Sequence, residues 1–167
     1  LEQHSLPGNM LNDANPGNYL MFKLHPAYRV FVDTRYLNLA ELFASYTIWG
    51  AHPTRQAEDP TTLDYVATIQ PMLNQIQQRP ENYSKEYWQT LMQYYKIDFV
   101  VGRVTYPENG LIRPLFLKLL SQPDWYLLYA DGHNVVIAQD NKTTHAKLQT
   151  LSRLPKKQLY VQILLES

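Results

Sequence analysis

The segment Ile97-Asp98-Phe99-Val100-Val101 constrains the fold more than any other. It is apolar at every position but one, and it is rich in β-branched and aromatic side chains, so it reads as a strand. A strand that does not alternate between apolar and polar residues is covered on both faces, which is the position of a central strand in an α/β sheet. Gly102-Arg103 closes it. The cover must come from amphipathic helices elsewhere in the chain.

Ser84 to Tyr95 supplies the clearest of them. Tyr87, Trp88, Leu91, Met92 and Tyr95 form a buried side, and Ser84 is placed to cap the start. A helix begins at Leu37 and ends before Gly50, and another covers Leu111 to Leu120. His52 to Pro60 is loop; Thr62 to Gln78 is helical in pattern, broken by Pro71. Near the start, Gly8 to Asn12 reads as a first strand and Asn15-Pro16-Gly17 as a turn. Asn18 to Leu24 fits helix or strand by periodicity, and its flanks, Asn18 and His25-Pro26, favour a short helix. Arg29 to Asp33 is a β-branched strand. Trp125 to Tyr129, Asp131-Gly132-His133 and Val135 to Ala138 read as a hairpin with a tight turn. Lys142 to Arg153 and Lys156 to Glu166 read as terminal helices, with Pro155 opening the second, although Leu159 to Leu165 also fits a strand.

Strands alternating with helices, followed by a hairpin, predict an α/β fold. The expected form is a three-layer, Rossmann-like, mostly parallel sheet with an antiparallel C-terminal hairpin and terminal helices. Residues 1-141 would form the α/β domain and residues 142-167 a C-terminal helical extension packed on it.

Composition excludes several function classes. Fifteen basic residues balance fifteen acidic ones, so no basic stripe exists to attract a nucleic-acid backbone. The chain has no cysteine, which removes disulfides, thiol catalysis and cysteine-bound zinc. The histidines His4, His25, His52, His133 and His145 lack metal-binding spacing, and no glycine-rich phosphate loop or Gly-x-Ser-x-Gly elbow is present, so neither metal nor cofactor is expected. Asn82-Tyr83-Ser84 and Asn141-Lys142-Thr143 match the N-glycosylation pattern, which is common by chance. No apolar run approaches the roughly 20 residues that span a bilayer. The N-terminus has no basic region, apolar core or methionine, so the chain is expected to be a piece of a longer protein.

Polar residues gather where strands are expected to end. Asn12 and Asp13 follow the first, Asp33 and Arg35 the second, and Arg103 the third. Ligands of open α/β sheets sit beyond the carboxyl ends of strands, so these five residues are the candidate binding site. Asp33 and Arg35 would share a side if their strand continued through them, and an acid-arginine pair there suits a sugar hydroxyl or a phosphate. The competing reading is that the same charges tie loops down.

Several elements resemble, in order, the extracytoplasmic C-terminal region of bacterial polytopic membrane proteins similar to the dolichyl-phosphate-mannose–protein mannosyltransferase group of C-type glycosyltransferases. The residues are Met10-Leu11-Asn12-Asp13, Gly17-Asn18-Tyr19-Leu20, Arg29-Val30-Phe31-Val32-Asp33-Thr34-Arg35, Tyr95 to Val101, Trp125 to Asp131 with Val135-Val136-Ile137, and Leu154-Pro155-Lys156-Lys157 with Leu159-Tyr160. This chain has Gly17-Asn18 where the family often has two glycines, and Thr34 where it often has glycine. The resemblance implies an accessory, non-catalytic domain on the periplasmic face, attached to the transmembrane portion of its own parent chain. Its role would be acceptor binding, with a glycan or protein as acceptor, or that of a lid or an assembly platform. The family's catalytic residues lie outside the matching region, so none carries over. Two other readings remain: a small-molecule or catalytic domain using the polar crevice, and a protein-interaction module using the C-terminal helices and exposed tyrosines, of which the chain has many for its length.

Overall fold

The computed structural model describes residues 6–24, 26, 28–33, 39–51, 86–107, 110–131 and 133–155. The expected loop at 52–60, the expected helix at 62–78, Ser84, Arg35 and the segment 156–166 lie outside them.

The elements run β1 (Asn9–Asn12), α1 (Ala14–Leu24), α2 (Leu39–Trp49), α3 (Tyr87–Tyr94), β2 (Ile97–Arg103), α4 (Pro114–Ser121), β3 (Trp125–Ala130), β4 (Asn134–Gln139) and α5 (His145–Leu148). The strands form one mixed sheet in the order β1-β2-β4-β3. β1 pairs with β2 in parallel, while β2–β4 and β3–β4 are antiparallel. The chain is thus α/β, but among the described residues its sheet is not mostly parallel. The hairpin causes this: its second strand, not its first, takes the place beside β2.

β2 occupies the central position that its apolar run demands. Alternate residues serve opposite faces. Val100 joins Leu11, Leu127 and Ile137 in one apolar cluster with Ile48 of α2, Trp88 and Leu91 of α3, and Leu115 and Phe116 of α4. Phe99 joins Met10 and Ala138 in a second cluster with Leu24 of α1, Tyr28 and Leu148 of α5. The exception in the run, Asp98, is buried and accepts hydrogen bonds from the Asn9 amide at 2.8 Å and Asn141 Nδ2 at 2.9 Å.

Four local expectations are corrected. Asn15-Pro16-Gly17 is not a turn but lies in the first turns of α1. Proline is tolerated there because the first helical N–H groups lack intrahelical partners. Arg29 to Asp33 is not a strand; it runs irregularly beside β1, held by a side chain. The helix expected from Leu111 starts at Pro114, whose ring keeps Arg113 extended at ψ 126. The helix expected over Lys142 to Arg153 shrinks to α5. Asn141 Oδ1 there accepts the Thr143 and Thr144 amides at 2.9 and 3.2 Å, a local turn that competes with helix. Farther on, Leu154 bridges Leu127 on the outer edge of β3.

Candidate functional site

Because β1 and β2 are parallel, their carboxyl ends lie at one edge of the sheet, with Asn12 opposite Val101 and Arg103 beyond it. Two of the candidate residues are therefore brought to this edge by β1 and one by β2.

Asn12 is fully buried and acts as a backbone surrogate. Its Oδ1 accepts the Phe31 amide at 2.6 Å, and its Nδ2 donates to Val32 O at 2.7 Å and Asp13 O at 2.8 Å. One side chain thus satisfies the donor and acceptor that a neighbouring strand would have satisfied. This brings Asp33 alongside α1. The approach is close: a Cβ on Gly17 would lie 2.3 Å from Val32 O and 3.1 Å from Asn12 Nδ2. Only glycine fits at that crossing.

Asp13 turns toward Arg113, which precedes α4. The carboxylate meets Arg113 Nη2 at 2.9 Å, and the guanidinium side chain is only 7% exposed. The guanidinium carbon lies 4.6 Å from the Trp49 ring centroid and 5.2 Å from that of Tyr106. Trp49 in turn packs over Gly102 of β2, where a Cβ would come within 2.7 Å of the indole. An arginine so deep requires a partner, since an unpaired buried charge is prohibitive; the acid at its fork and the ring faces supply it. Arg113 Nε and Trp49 Nε1 are buried with no hydrogen-bond partner among the described residues.

The edge therefore unites Asn12, Asp13 and the Val32–Asp33 backbone with Arg113, Trp49 and Tyr106. Arg103 is exposed at the end of β2, and Asp33 is half-buried with partners of its own. Since Arg29 to Asp33 is no strand, alternation does not place Asp33 and Arg35 on a common side, and Arg35 lies outside the described residues. Arg113 was not singled out from the sequence. Its signal was present as a lone charge inside Leu111-Ile112-Arg113-Pro114-Leu115, where a guanidinium must find a buried anion.

What this edge can do chemically follows from how its groups are engaged. The amide of Asn12 and the carboxylate of Asp13 are both engaged with the framework. Among the described residues no His, Cys, Asp or Glu cluster could hold a metal ion, and no helix is long and apolar enough to cross a membrane. Compared with protein-family profiles, with curated proteins and with solved structures, the chain matches none.

Proposed function

We propose that this chain is an accessory, non-catalytic extracytoplasmic domain of a glycosyltransferase-like membrane protein, joined to the membrane portion of its parent chain and engaging the acceptor or organising assembly. The observation that supports this reading is the use of the strand-end polar groups. In α/β enzymes that edge carries the reacting groups; here Asn12 holds Phe31 and Val32, and Asp13 holds Arg113. The edge is built as a rigid frame. The ordered resemblance from Met10-Leu11-Asn12-Asp13 through the hairpin points the same way.

We further read the fold as a three-layer, Rossmann-like arrangement with an antiparallel edge. Its support is the pair of apolar clusters, to which the neighbouring β2 residues Phe99 and Val100 contribute separately.

The test is excision of the segment from the full-length parent, with glycosyl transfer and membrane assembly measured beside the intact protein. Loss of transfer or assembly is expected, together with no turnover by the isolated chain on lipid-linked sugar. A deletion protein that assembles and transfers normally overturns the reading.

A further inference from the structure

At the opposite end of the sheet, beyond the amino end of β2 and the carboxyl end of β4, lies a cleft of about 480 Å³. That volume falls in the range of roughly 300–1,000 Å³ typical of small-molecule sites. Trp88, Trp125 and Leu119 border the cleft and are almost wholly buried, and its walls carry five side-chain amides: Gln89, Gln93, Gln122, Gln139 and Asn141.

Three of the amides are held in place, Gln89 and Gln139 by one pole and Asn141 by both. Gln89 Oε1 accepts the Glu86 amide at 3.1 Å, Gln139 Nε2 donates to Asp124 Oδ2 at 2.7 Å, and Asn141 Nδ2 donates to Asp98 Oδ1 at 2.9 Å. Gln89 Nε2 has no bond among the described residues, and Gln139 Oε1 has only a 3.5 Å contact from Asn141 Nδ2. The cleft therefore presents a preoriented donor and a preoriented acceptor, and their fixed rotamers lower the ordering cost of binding. The Thr143 hydroxyl adds a group that both donates and accepts. At the rim stands Lys96, in the left-handed region at φ 51, a place after a helix that normally falls to glycine. Its ammonium has no ion-pair partner among the described residues.

Charge narrows the ligand class. Asp98 accepts hydrogen bonds from Asn9 N and Asn141 Nδ2, and its negative charge is set against that of the Lys96 ammonium in the same cleft. Among the described lining residues Lys96 is the one cation, and the opposed charges of Lys96 and Asp98 favour neither an anion nor a cation. A wholly apolar ligand would strip water from the amides without replacing their hydrogen bonds. What remains is a neutral molecule whose groups both donate and accept.

We propose that this cleft binds a small neutral saccharide, with Gln89, Gln139, Thr143 and Lys96 meeting its hydroxyls. The proposal rests on the cleft alone and goes beyond the accessory reading. Success or failure of the deletion experiment does not bear on it.

The test is an NMR titration of the ¹⁵N-labelled 167-residue chain with glucose, galactose, N-acetylglucosamine and the β1,4-linked disaccharides of glucose and of N-acetylglucosamine. Saturable shifts at the side-chain amides of Gln89 and Gln139 and at Lys96 are expected for at least one sugar, with Kd about 1 mM. The Lys96→Gly/Thr143→Val variant is expected to bind that sugar at least about tenfold more weakly. Its thermal midpoint should not fall, because glycine relieves the left-handed backbone. Absence of saturable shifts for every sugar up to about 50 mM, shifts clustered away from the cleft, or unchanged affinity in the variant each overturn the proposal.

Discussion

Asn12 replaces a strand with a side chain. Its amide spans the Phe31 donor and the Val32 acceptor, so the segment beside β1 is fixed without a ladder. Truncation by Asn12→Ala would leave those buried groups unpartnered and is expected to cost about 3 kcal/mol. The measurement is a urea denaturation series in which the midpoint falls while the slope is unchanged. Asp13 gives a sharper case. Asp13→Ala strands the Arg113 guanidinium among Trp49 and Tyr106, and a loss of about 3–5 kcal/mol is expected. The double variant Asp13→Ala/Arg113→Met should recover most of that loss, because the penalty belongs to the uncompensated charge. Equal destabilisation in the single and double variants would show that the carboxylate matters for some other reason. Neither residue could be given its role from sequence position alone. Asn12 and Asp13 were visible as polar residues after an apolar strand, but their partners at Val32 and Arg113 are set by the approach of distant segments.

At the scale of elements, termini follow local chemistry and are the part most open to reading. Glu86 caps the start of α3: its backbone amide donates to Gln89 Oε1, and its carboxylate accepts the Trp88 indole N–H and the Lys118 ammonium. These contacts hold the Glu86 carboxyl below its usual range, the indole hydrogen bond contributing most. The other end of α3 carries a pH response. Burial, with smaller contributions from Glu41, Tyr94 and Tyr87, pushes the Tyr95 phenol up to about 12. The folded state thus keeps its proton above the ordinary tyrosine value of about 10. For a raised group the stabilising contribution is complete below the unfolded value and disappears as pH rises through the folded one. Unfolding free energy is therefore expected to fall between pH of about 10 and 12, and Tyr95→Phe should flatten that limb. Denaturant midpoints of the two proteins across that interval check it; parallel curves would place the alkaline response elsewhere. Helix cores at α2, α3 and α4 were legible because apolar spacing is a local property. The shortened α5 was not, because Asn141 has a choice between helix and turn that its bonds to Asp98 and the Thr143 and Thr144 amides decide.

For the whole molecule, β2 is the element through which both apolar clusters communicate. Phe99 is fully buried on one side, with Tyr28 edge-on at 5.7 Å, and Val100 is fully buried on the other. Phe99→Ala is expected to destabilise by about 3–5 kcal/mol. Since the two faces share one strand, fluorescence and far-ultraviolet circular dichroism should still report a single coincident transition. Two separated transitions would mean that the faces unfold independently, and the sheet would no longer be the organising centre.

The amino-acid sequence by itself determined that a doubly covered strand lies at 97–101, that amphipathic helices flank it, that a hairpin follows, and that polar residues terminate the first strand. Each of these follows from spacing, propensity or turn chemistry acting over a few residues. Tertiary structure alone decided that β4 rather than β3 pairs with β2, that 29–33 is stitched to β1 by Asn12 instead of joining a ladder, and that Arg113 is the partner of Asp13. Those outcomes depend on which distant groups meet once the apolar faces are buried. A buried donor, acceptor or charge accepts whatever complementary partner that packing brings within reach, and no local pattern records the choice.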